Sequence, residues 1–404
     1  MFGIKTNIDS NKIKELLARR IEAVFPSVEY AEEELKSGKK LRVYLGIDPT
    51  GPSLHLGHTI PLLFLKQLLE LGHRPVLLIG DFTARIGDPT GKETARKPLT
   101  KKEIKENMKD YLKQAYKILP KGSFDVKYNS SWLSNMSFDD VIRLSAHVTV
   151  QQMIIRDMFQ ERLKNGKSIG VHEFLYPLMQ GYDSVAMDVD LEVGGKDQVP
   201  NMMDGRTLVN VLKKHEKWVL GTRLIEDPNG KKMGKTEGNI VNISDLPEVK
   251  YEGIMTWPDS AIPMGFELIT SVPMEQVWTV GEMLQKGELN PVQTKEALAY
   301  RVVLELDGDK EAQFAKEEFD LVKRQGKLPR RMNELTTIPG VKVSNILVDS
   351  GLVKTPEEAA AKIAQKSVFI DGKQLEKESE WPSSAETVAL GKKTIKNIRR
   401  VVLV

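Results

Sequence analysis

The sequence contains no cysteine, which excludes several kinds of site at once. Disulfide bridges, thiolate zinc sites and cysteine nucleophiles all need a thiol, so we expect none of them. Long apolar runs are also missing. The longest one beside a predicted helix, residues 60–65, is far shorter than the ~20 residues that span a membrane. The N-terminal residues lack the apolar stretch of a signal peptide. We therefore expect a cytoplasmic protein with no membrane partner.

A strong excess of charge of one sign is absent too. The 59 basic and 56 acidic residues leave a net charge of only +3, so composition alone does not indicate a nucleic-acid partner. Hydrophobic residues make up 40% of the 404 residues, which is ordinary for a globular protein. A chain of this length predicts two or three domains.

The N-terminal half alternates between short apolar runs and helical spacing. Residues 41–47 and 75–79 are typical of buried strands, and residues 56–71 between them have the spacing of a helix that ends at a glycine. Strand, helix and strand in ~40 residues predict a βαβ unit and a parallel sheet. We thus expect an α/β fold with its ligands at the carboxyl ends of the strands. Further helices are expected over residues 11–36, 101–118 and 138–164.

Changes in composition predict three domains. Residues 1–239 form the α/β domain, and prolines punctuate short helical stretches in residues 240–330, which indicates a helical middle domain. Residues 338–404 are expected to form a small α+β domain. There, Thr355 opens a capping box for a helix, and Asp371-Gly372 is typical of a hairpin turn.

His55-Leu-Gly-His58 follows a predicted strand and opens a predicted helix. The N-terminus of a helix favours phosphate, and imidazoles can donate hydrogen bonds to phosphate and ribose. Gly57 leaves room for a nucleotide base against the backbone. Two surface histidines at a helix start are the alternative. The preceding Asp48-Pro-Thr-Gly-Pro-Ser segment favours the nucleotide site.

Lys232-Met-Gly-Lys-Thr236 places two lysines three residues apart on a glycine-flanked loop. Both could reach one polyphosphate, although a solvated basic turn would have the same composition. Gly87-Asp-Pro-Thr-Gly-Lys92 looks like a phosphate-binding loop. It fails as a P-loop, however, because only three residues separate its glycines and Glu93 stands where serine or threonine is needed.

Together these motifs resemble those of class I aminoacyl-tRNA synthetases, whose HIGH and KMSKS signatures read here HLGH and KMGKT, about 175 residues apart. Further segments are similar to tyrosyl-tRNA synthetases. These are Tyr44-Leu-Gly-Ile-Asp-Pro-Thr50, Tyr176-Pro-Leu-Met-Gln180-Gly-Tyr-Asp183 and Gly194-Gly-Lys-Asp197-Gln198. Tyr176, Gln180 and Asp183 would share one face of a helix.

The resemblance implies roles for individual residues. Tyr44 and Asp183 would bind the phenol of tyrosine. The ammonium group would be bound by Tyr176, Gln180, Asp88 and Gln198. The remaining ATP contacts would come from Gly46, Asp48, Gly57, Gly195, Asp197 and Met233. Phosphate transfer would be assisted by Thr50, His55, His58, Lys92, Arg96, Lys232, Lys235 and Thr236.

The resemblance also implies a Rossmann-like catalytic domain and a homodimer that activates tyrosine with ATP and passes it to tRNA. Magnesium would accompany ATP, bound mostly by its phosphates, since the sequence shows no carboxylate cage. Residues 338–404 resemble the small RNA-binding module of a ribosomal protein and of pseudouridine synthases. Its second helix, Ala359-Ala-Ala-Lys362, carries less arginine than such modules usually do. Lys196 also departs from the family, which usually has serine or threonine there.

Two other functions are compatible with parts of this pattern. A non-catalytic relative could bind RNA only, but it would be expected to have lost a signature lysine or histidine, and none is lost here. A tryptophanyl-tRNA synthetase or a small-molecule adenylyltransferase would share the nucleotide motifs. Tyr44, Asp183 and the C-terminal module favour the tyrosyl family over these enzymes.

Overall fold

The computed structural model describes residues 6–90, 98–226, 241–391, 395 and 398–403. Its contacts divide the chain into two compact units. The first comprises Met1–Ser244 and Pro258–Pro291, and the second comprises Asp245–Trp257 and Val292–Val404. Among the described residues, every helix is too short or too polar to cross a membrane.

The elements alternate along most of the chain. The strands are β1 (Ile21–Phe25), β2 (Val43–Ile47), β3 (Val76–Ile79), β4 (Asp125–Tyr128), β5 (Leu191–Gly195), β6 (Trp218–Thr222), β7 (Asn333–Thr337), β8 (Val368–Ile370), β9 (Lys373–Gln374), β10 (Thr387–Leu390) and β11 (Ile398–Leu403). The helices are α1 (Ser10–Ala18), α2 (Val28–Lys36), α3 (Leu56–Glu70), α4 (Thr83–Ile86), α5 (Lys101–Asn107), α6 (Tyr111–Ala115), α7 (Ser130–Leu133), α8 (Phe138–Ser145), α9 (Val150–Ile154), α10 (Asp157–Lys164), α11 (Leu175–Met187), α12 (Val199–Lys213), α13 (Pro247–Met255), α14 (Ile262–Ile269), α15 (Met274–Gln285), α16 (Pro291–Asp307), α17 (Asp309–Phe319), α18 (Val343–Asp349) and α19 (Pro356–Ala364).

The first unit is built on a six-stranded sheet of order β1-β6-β5-β2-β3-β4. All neighbours are parallel except β1 and β6. The chain runs outward from β2 through β3 to β4 and then returns to β5 on the other side of β2. The predicted α/β fold with a parallel sheet is therefore confirmed. A crevice between β2 and β5 is where ligands bind in sheets of this kind.

The helix predicted over residues 11–36 is wrong in its middle. Arg20 has a positive φ of 68°, which ends helical geometry. β1 then pairs antiparallel with β6, with Phe25 opposite Val219. Arg19 Nε donates to the carbonyl of Glu267 at 2.8 Å, and Arg20 Nε donates to that of Leu268 at 2.9 Å. These two carbonyls lie 248 residues along the chain from their arginines, so local spacing could not reveal them.

The long helices predicted over residues 101–118 and 138–164 are broken into shorter ones. Within the second range, α9 begins after Thr149, whose hydroxyl accepts a hydrogen bond from the third backbone N–H of the new helix. Such caps start new helices because they satisfy backbone donors that would otherwise lack a partner. The apolar spacing continued across these breaks, which explains the incorrect prediction.

The second unit contains a five-stranded sheet of order β7-β11-β10-β8-β9, in which β7 is parallel to β11 and the other pairs are antiparallel. The predicted hairpin at Asp371-Gly372 is confirmed, because both residues have positive φ and Ile370 pairs with Lys373. Helices α18 and α19 pack together beside the buried side chains of this sheet. Helices α13 and α17 also pack against each other in this unit.

Candidate active site

Several predicted site residues meet at the carboxyl ends of the parallel strands. Asp48 follows β2, and its carboxylate accepts hydrogen bonds from Thr83 Oγ1 at 2.7 Å and from Tyr176 Oη at 3.0 Å. Thr83 lies just beyond β3, and Tyr176 lies on α11. Gly80 packs so closely that a Cβ there would lie 1.9 Å from Asp48 Oδ1. The absence of a side chain at Gly80 thus allows the carboxylate to sit between the two strand ends.

Tyr44 and Asp183 are both buried, with 1% and 2% of their surfaces exposed. Asp183 accepts hydrogen bonds from Trp132 Nε1 at 2.7 Å and from Asn129 Nδ2 at 3.1 Å. Burial raises the pKa of Asp183 well above its usual value, and these two donors oppose that shift. Burial likewise raises the pKa of Tyr44 well above its usual value, so its phenol keeps its proton at neutral pH.

Behind Tyr44 lies a buried network that connects β5, β6 and α11. Ser184 Oγ lies 3.0 Å from Tyr44 Oη and donates to Glu192 at 3.2 Å. Gln180 Nε2 also donates to Glu192, at 3.1 Å. Lys217 forms an ion pair with the same carboxylate, and both side chains are almost fully buried. Burial lowers the pKa of Lys217, and the attraction of Glu192 opposes that shift.

A second polar group joins the residues after β3 to α12. Gln198 Nε2 donates to Asp88 Oδ2 at 2.9 Å, and the Thr90 N–H donates to Asp88 Oδ1 at the same distance. Asn201 Nδ2 lies 3.3 Å from both Gln198 Oε1 and Thr90 Oγ1. The structure thus brings together Asp88 and Gln198, which the sequence assigns to one substrate group.

His55 and His58 form the N-terminal cap of α3. His55 Nδ1 accepts from the Gly57 N–H, and His58 Nδ1 accepts from the His55 N–H, each at 3.1 Å. Because each Nδ1 is an acceptor, a neutral ring carries its proton on Nε2 and can donate from there. A Cβ at Gly57 would lie 2.8 Å from the His55 ring, which explains the glycine in this motif.

Of the other predicted residues, some have contacts in the structure and some lie outside the described ranges. The Thr50 N–H donates to the Asp48 carbonyl at 2.8 Å. A Cβ at Gly195 would meet Asp197 Oδ1 at 2.6 Å, whereas Gly46 has only ordinary contacts. Lys196 forms an ion pair with Glu226 at 2.9 Å. Six predicted residues lie outside the described ranges: Lys92, Arg96, Lys232, Met233, Lys235 and Thr236.

Sequence reasoning missed four residues that contact the predicted ones, Asn129, Trp132, Ser184 and Glu192, and a fifth, Lys217, that pairs with Glu192. Some signals were available. Asn129 directly follows β4. Glu192 is a charged residue within the otherwise apolar strand β5, and Lys217 directly precedes the apolar strand β6. Within the described residues, no cluster of histidine, aspartate and glutamate side chains could hold a metal ion.

Comparison with known proteins gives consistent matches. The family of class I tRNA synthetases (W and Y) matches residues 36–322. The tyrosine–tRNA ligase of Carboxydothermus hydrogenoformans is 40% identical over 372 residues, covering 89% of this chain and 90% of the relative. That of Thermotoga maritima is 39% identical over 370 residues, covering 90% and 92%.

Solved structures share the fold. A C-terminally truncated mitochondrial tyrosyl-tRNA synthetase of Aspergillus nidulans has a TM-score of 0.66 at 22% identity, covering 77% of this chain and 94% of the other. The tyrosyl-tRNA synthetase of Archaeoglobus fulgidus, solved in complex with L-tyrosine, has a TM-score of 0.61 at 22% identity, covering 76% of this chain and all of the other.

The contact between Gly80 and Asp48 predicts a stability difference between two glycines. Gly80→Ala should lower the free energy of unfolding by about 1–3 kcal/mol, because its Cβ would force the Asp48 and Thr83 side chains to move. Gly46→Ala is the matched control, since its Cβ would meet nothing nearer than a Tyr44 ring carbon at 3.7 Å. Urea unfolding of both variants measures the difference. Equal stability would show that the Asp48 position tolerates displacement.

Proposed function

The chain belongs to the class I tRNA synthetases, among the tyrosine–tRNA ligases, and from this we propose that the site at its strand ends activates tyrosine with ATP. The pairing of Tyr44 with Asp183 carries the proposal. Both are buried hydrogen-bonding groups, and a phenol hydroxyl between them would give each a further partner. We expect this pair to distinguish tyrosine from phenylalanine.

The amino group of the substrate is assigned to the polar residues beside this pair. Gln180 Oε1 is buried and has no hydrogen-bond partner among the described residues, so it offers an acceptor to an ammonium group. Tyr176 lies one turn away on α11, and the Asp88–Gln198 pair supplies further oxygens. The substrate carboxylate would then point toward the nucleotide.

The chemistry needs little acid–base assistance in its first step. A carboxylate oxygen of tyrosine attacks the α-phosphorus of ATP, the bond to the bridging oxygen breaks, and pyrophosphate leaves with the electron pair. The carboxylate is already charged at pH 7, so positioning and charge stabilisation dominate catalysis. A terminal ribose hydroxyl of tRNA next attacks the acyl carbon and AMP departs. ATP enters as its magnesium complex, with the metal bound mostly by phosphates.

The remaining assignments divide between nucleotide and phosphate. Asp197, Asp48 and the backbone at Gly46, Gly57 and Gly195 would contact the nucleoside. Thr50, His55 and His58 would donate to the α-phosphate and ribose, the histidines through Nε2. The pyrophosphate would be bound by the residues outside the described ranges, with Met233 beside the base: Lys92, Arg96, Lys232, Lys235 and Thr236. We place this activity in the cytoplasm.

We predict tyrosine-dependent exchange of labelled pyrophosphate into ATP. The folded protein with magnesium and tyrosine should support exchange, and tryptophan and phenylalanine at equal concentration should give far less. No exchange with any amino acid would favour the RNA-binding alternative. Exchange with tryptophan in place of tyrosine would assign the chain to the tryptophan-specific members of the family.

Selectivity provides a more specific prediction. Tyr44→Phe should lower the preference for tyrosine over phenylalanine by about tenfold, or about 1.4 kcal/mol, because one neutral hydrogen bond to the phenol is lost. Asp183→Asn should lower it further, because an amide nitrogen would replace one of the two oxygens that accept from Asn129 and Trp132. The ratio of kcat/KM for the two amino acids is the measurement. An unchanged ratio in Tyr44→Phe would show that Tyr44 does not face the phenol.

We also propose that two copies of this chain associate through the segment from α8 to the start of α11. Five large apolar residues there are more than half exposed: Phe138, Ile142, Val150, Ile155 and Val171. Phe138 and Val171 expose 79% and 81% of their surfaces. Such clustering is uncommon on a monomer, and a symmetric second copy would cover it.

This surface can be tested by charge insertion. Phe138→Glu combined with Val171→Glu should shift the sedimentation coefficient from dimer to monomer, because carboxylates would be buried unpaired in the interface. Val28→Glu is the control, since Val28 is exposed on α2, away from this segment in the sequence, and should leave the dimer intact. A monomeric parent chain, or a dimer unaffected by the double substitution, would contradict the proposal.

Residues 338–404 are proposed to contact tRNA. Arg399 Nε donates to the Ser350 carbonyl at 3.1 Å and Arg400 lies 3.3 Å from Glu334, so both already have partners within the unit. Phosphate contacts would therefore depend chiefly on Lys392, Lys393 and Lys396, which lie outside the described residues.

A chain that ends after Arg331 tests this role. It should retain pyrophosphate exchange and lose most tRNA charging, because the catalytic motifs all precede residue 240. Charging by the full chain should weaken with added salt, as contacts to phosphates do. Full charging by the shortened chain would remove residues 338–404 from the tRNA interface.

A further inference from the structure

The buried network behind the pocket contains one group that contacts both halves of the site. Glu192 is the cross-strand neighbour of Tyr44 in the parallel pairing of β2 and β5. Its Oε1 accepts from Gln180 Nε2 at 3.1 Å, and its Oε2 accepts from Ser184 Oγ at 3.2 Å. Ser184 in turn lies 3.0 Å from Tyr44 Oη. A single carboxylate therefore contacts Gln180 through one hydrogen bond and Tyr44 through a chain of two hydrogen bonds.

Lys217 is the ionic partner of this carboxylate. The two groups form an ion pair, and Lys217 Nζ also donates to the Met202 carbonyl at 3.1 Å. Gly205 makes room for the pair, because a Cβ there would lie 2.6 Å from Lys217 Nζ and 2.9 Å from Ser184 Oγ. Both charges are withdrawn from solvent, and a buried ion pair is a weak source of stability. Its retention fits a role in orientation.

An ionised carboxylate can only accept hydrogen bonds, so Glu192 gives each neighbour a direction. The amide of Gln180 must present Nε2 to Glu192, which leaves Oε1 for the substrate. The Ser184 hydroxyl donates to Glu192 and lies 3.0 Å from Tyr44 Oη, so Glu192 fixes the position of the Tyr44 hydroxyl through Ser184. The ligand then meets the Tyr44 oxygen in one fixed orientation. A neutral amide at position 192 could reverse each of these directions.

Building on the proposed function, we propose that Glu192, held by Lys217, is a positioning residue that orients Gln180 toward the amino group and Tyr44 toward the phenol of tyrosine. It does not touch the substrate. Its effect is on recognition of two substrate groups at opposite ends of the amino acid, which a residue that only stabilises the fold would not alter together.

Three ligands separate the two ends. Phenylalanine lacks the hydroxyl of tyrosine, and 3-(4-hydroxyphenyl)propanoate lacks the ammonium group. The dissociation constants of all three, measured by titration calorimetry, give one preference for the hydroxyl and one for the ammonium group. Glu192→Gln should lower each preference by about tenfold, the effect of misdirecting one hydrogen bond at each end. Ser184→Ala should lower only the hydroxyl preference.

Two further variants remove the confounding effect of lost stability. Glu192→Gln with Lys217→Met eliminates the unpaired lysine that would hinder folding, and it should still show both losses. Asp190→Asn is the matched control. Asp190 is a buried carboxylate directly before the same strand, and it pairs with Lys39 and Arg42; among the described residues it forms no hydrogen bond with those of the pocket. It should leave both preferences unchanged.

Unchanged preferences in folded Glu192→Gln and in the double variant would overturn the positioning role. Equal losses in Asp190→Asn would also overturn it, because they would show a general response to a lost buried charge. If the parent chain itself had no preference for tyrosine over phenylalanine, the proposed function would fail first, so the two failures are distinguishable.

Discussion

Parallel pairing of β2 with β3 and with β5 is the constraint on which the active site depends. Parallel strands end at the same edge of a sheet, so Asp48, Gly80 and Asn129 come together although each follows a different strand. The pairing of β2 with β5 adds Glu192 beside Tyr44. A register shift of one residue would turn Tyr44 to the other face of the sheet and remove it from the pocket.

The interior around this edge is polar where an ordinary sheet core would be apolar. Burial of Asp183, Glu192 and Lys217 is costly, and each of the three has at least two polar partners that reduce the cost. Donors converge on Asp183 and Glu192, whereas Gln180 keeps one buried acceptor for a ligand. The arrangement suits an amino acid with a polar group at each end.

On the side of the site assigned to the nucleotide, glycines leave room for neighbouring side chains and histidines cap a helix. Gly80 and Gly57 leave room where Asp48 and the His55 ring would otherwise be displaced. The histidines cap α3 through Nδ1, so the first turn of the helix fixes their rings before any nucleotide binds. The side chains proposed to contact the nucleotide therefore also cap the helix, which ties the motif to its position at a helix start.

The sequence by itself determined the α/β alternation, the strand–helix–strand unit and the place of His55 at a helix start, because short-range spacing and turn residues record them directly. Tyr44, Tyr176 and Asp183 were assigned by the resemblance of their segments to a known family. Tertiary structure alone decided that residues 21–25 form a strand, since their partners in β6 lie far along the chain. It also decided that Glu192 and Lys217 are buried against Gln180 and Ser184. Charged residues are usually exposed, and a sequence does not show that two of them pair across neighbouring strands in the interior.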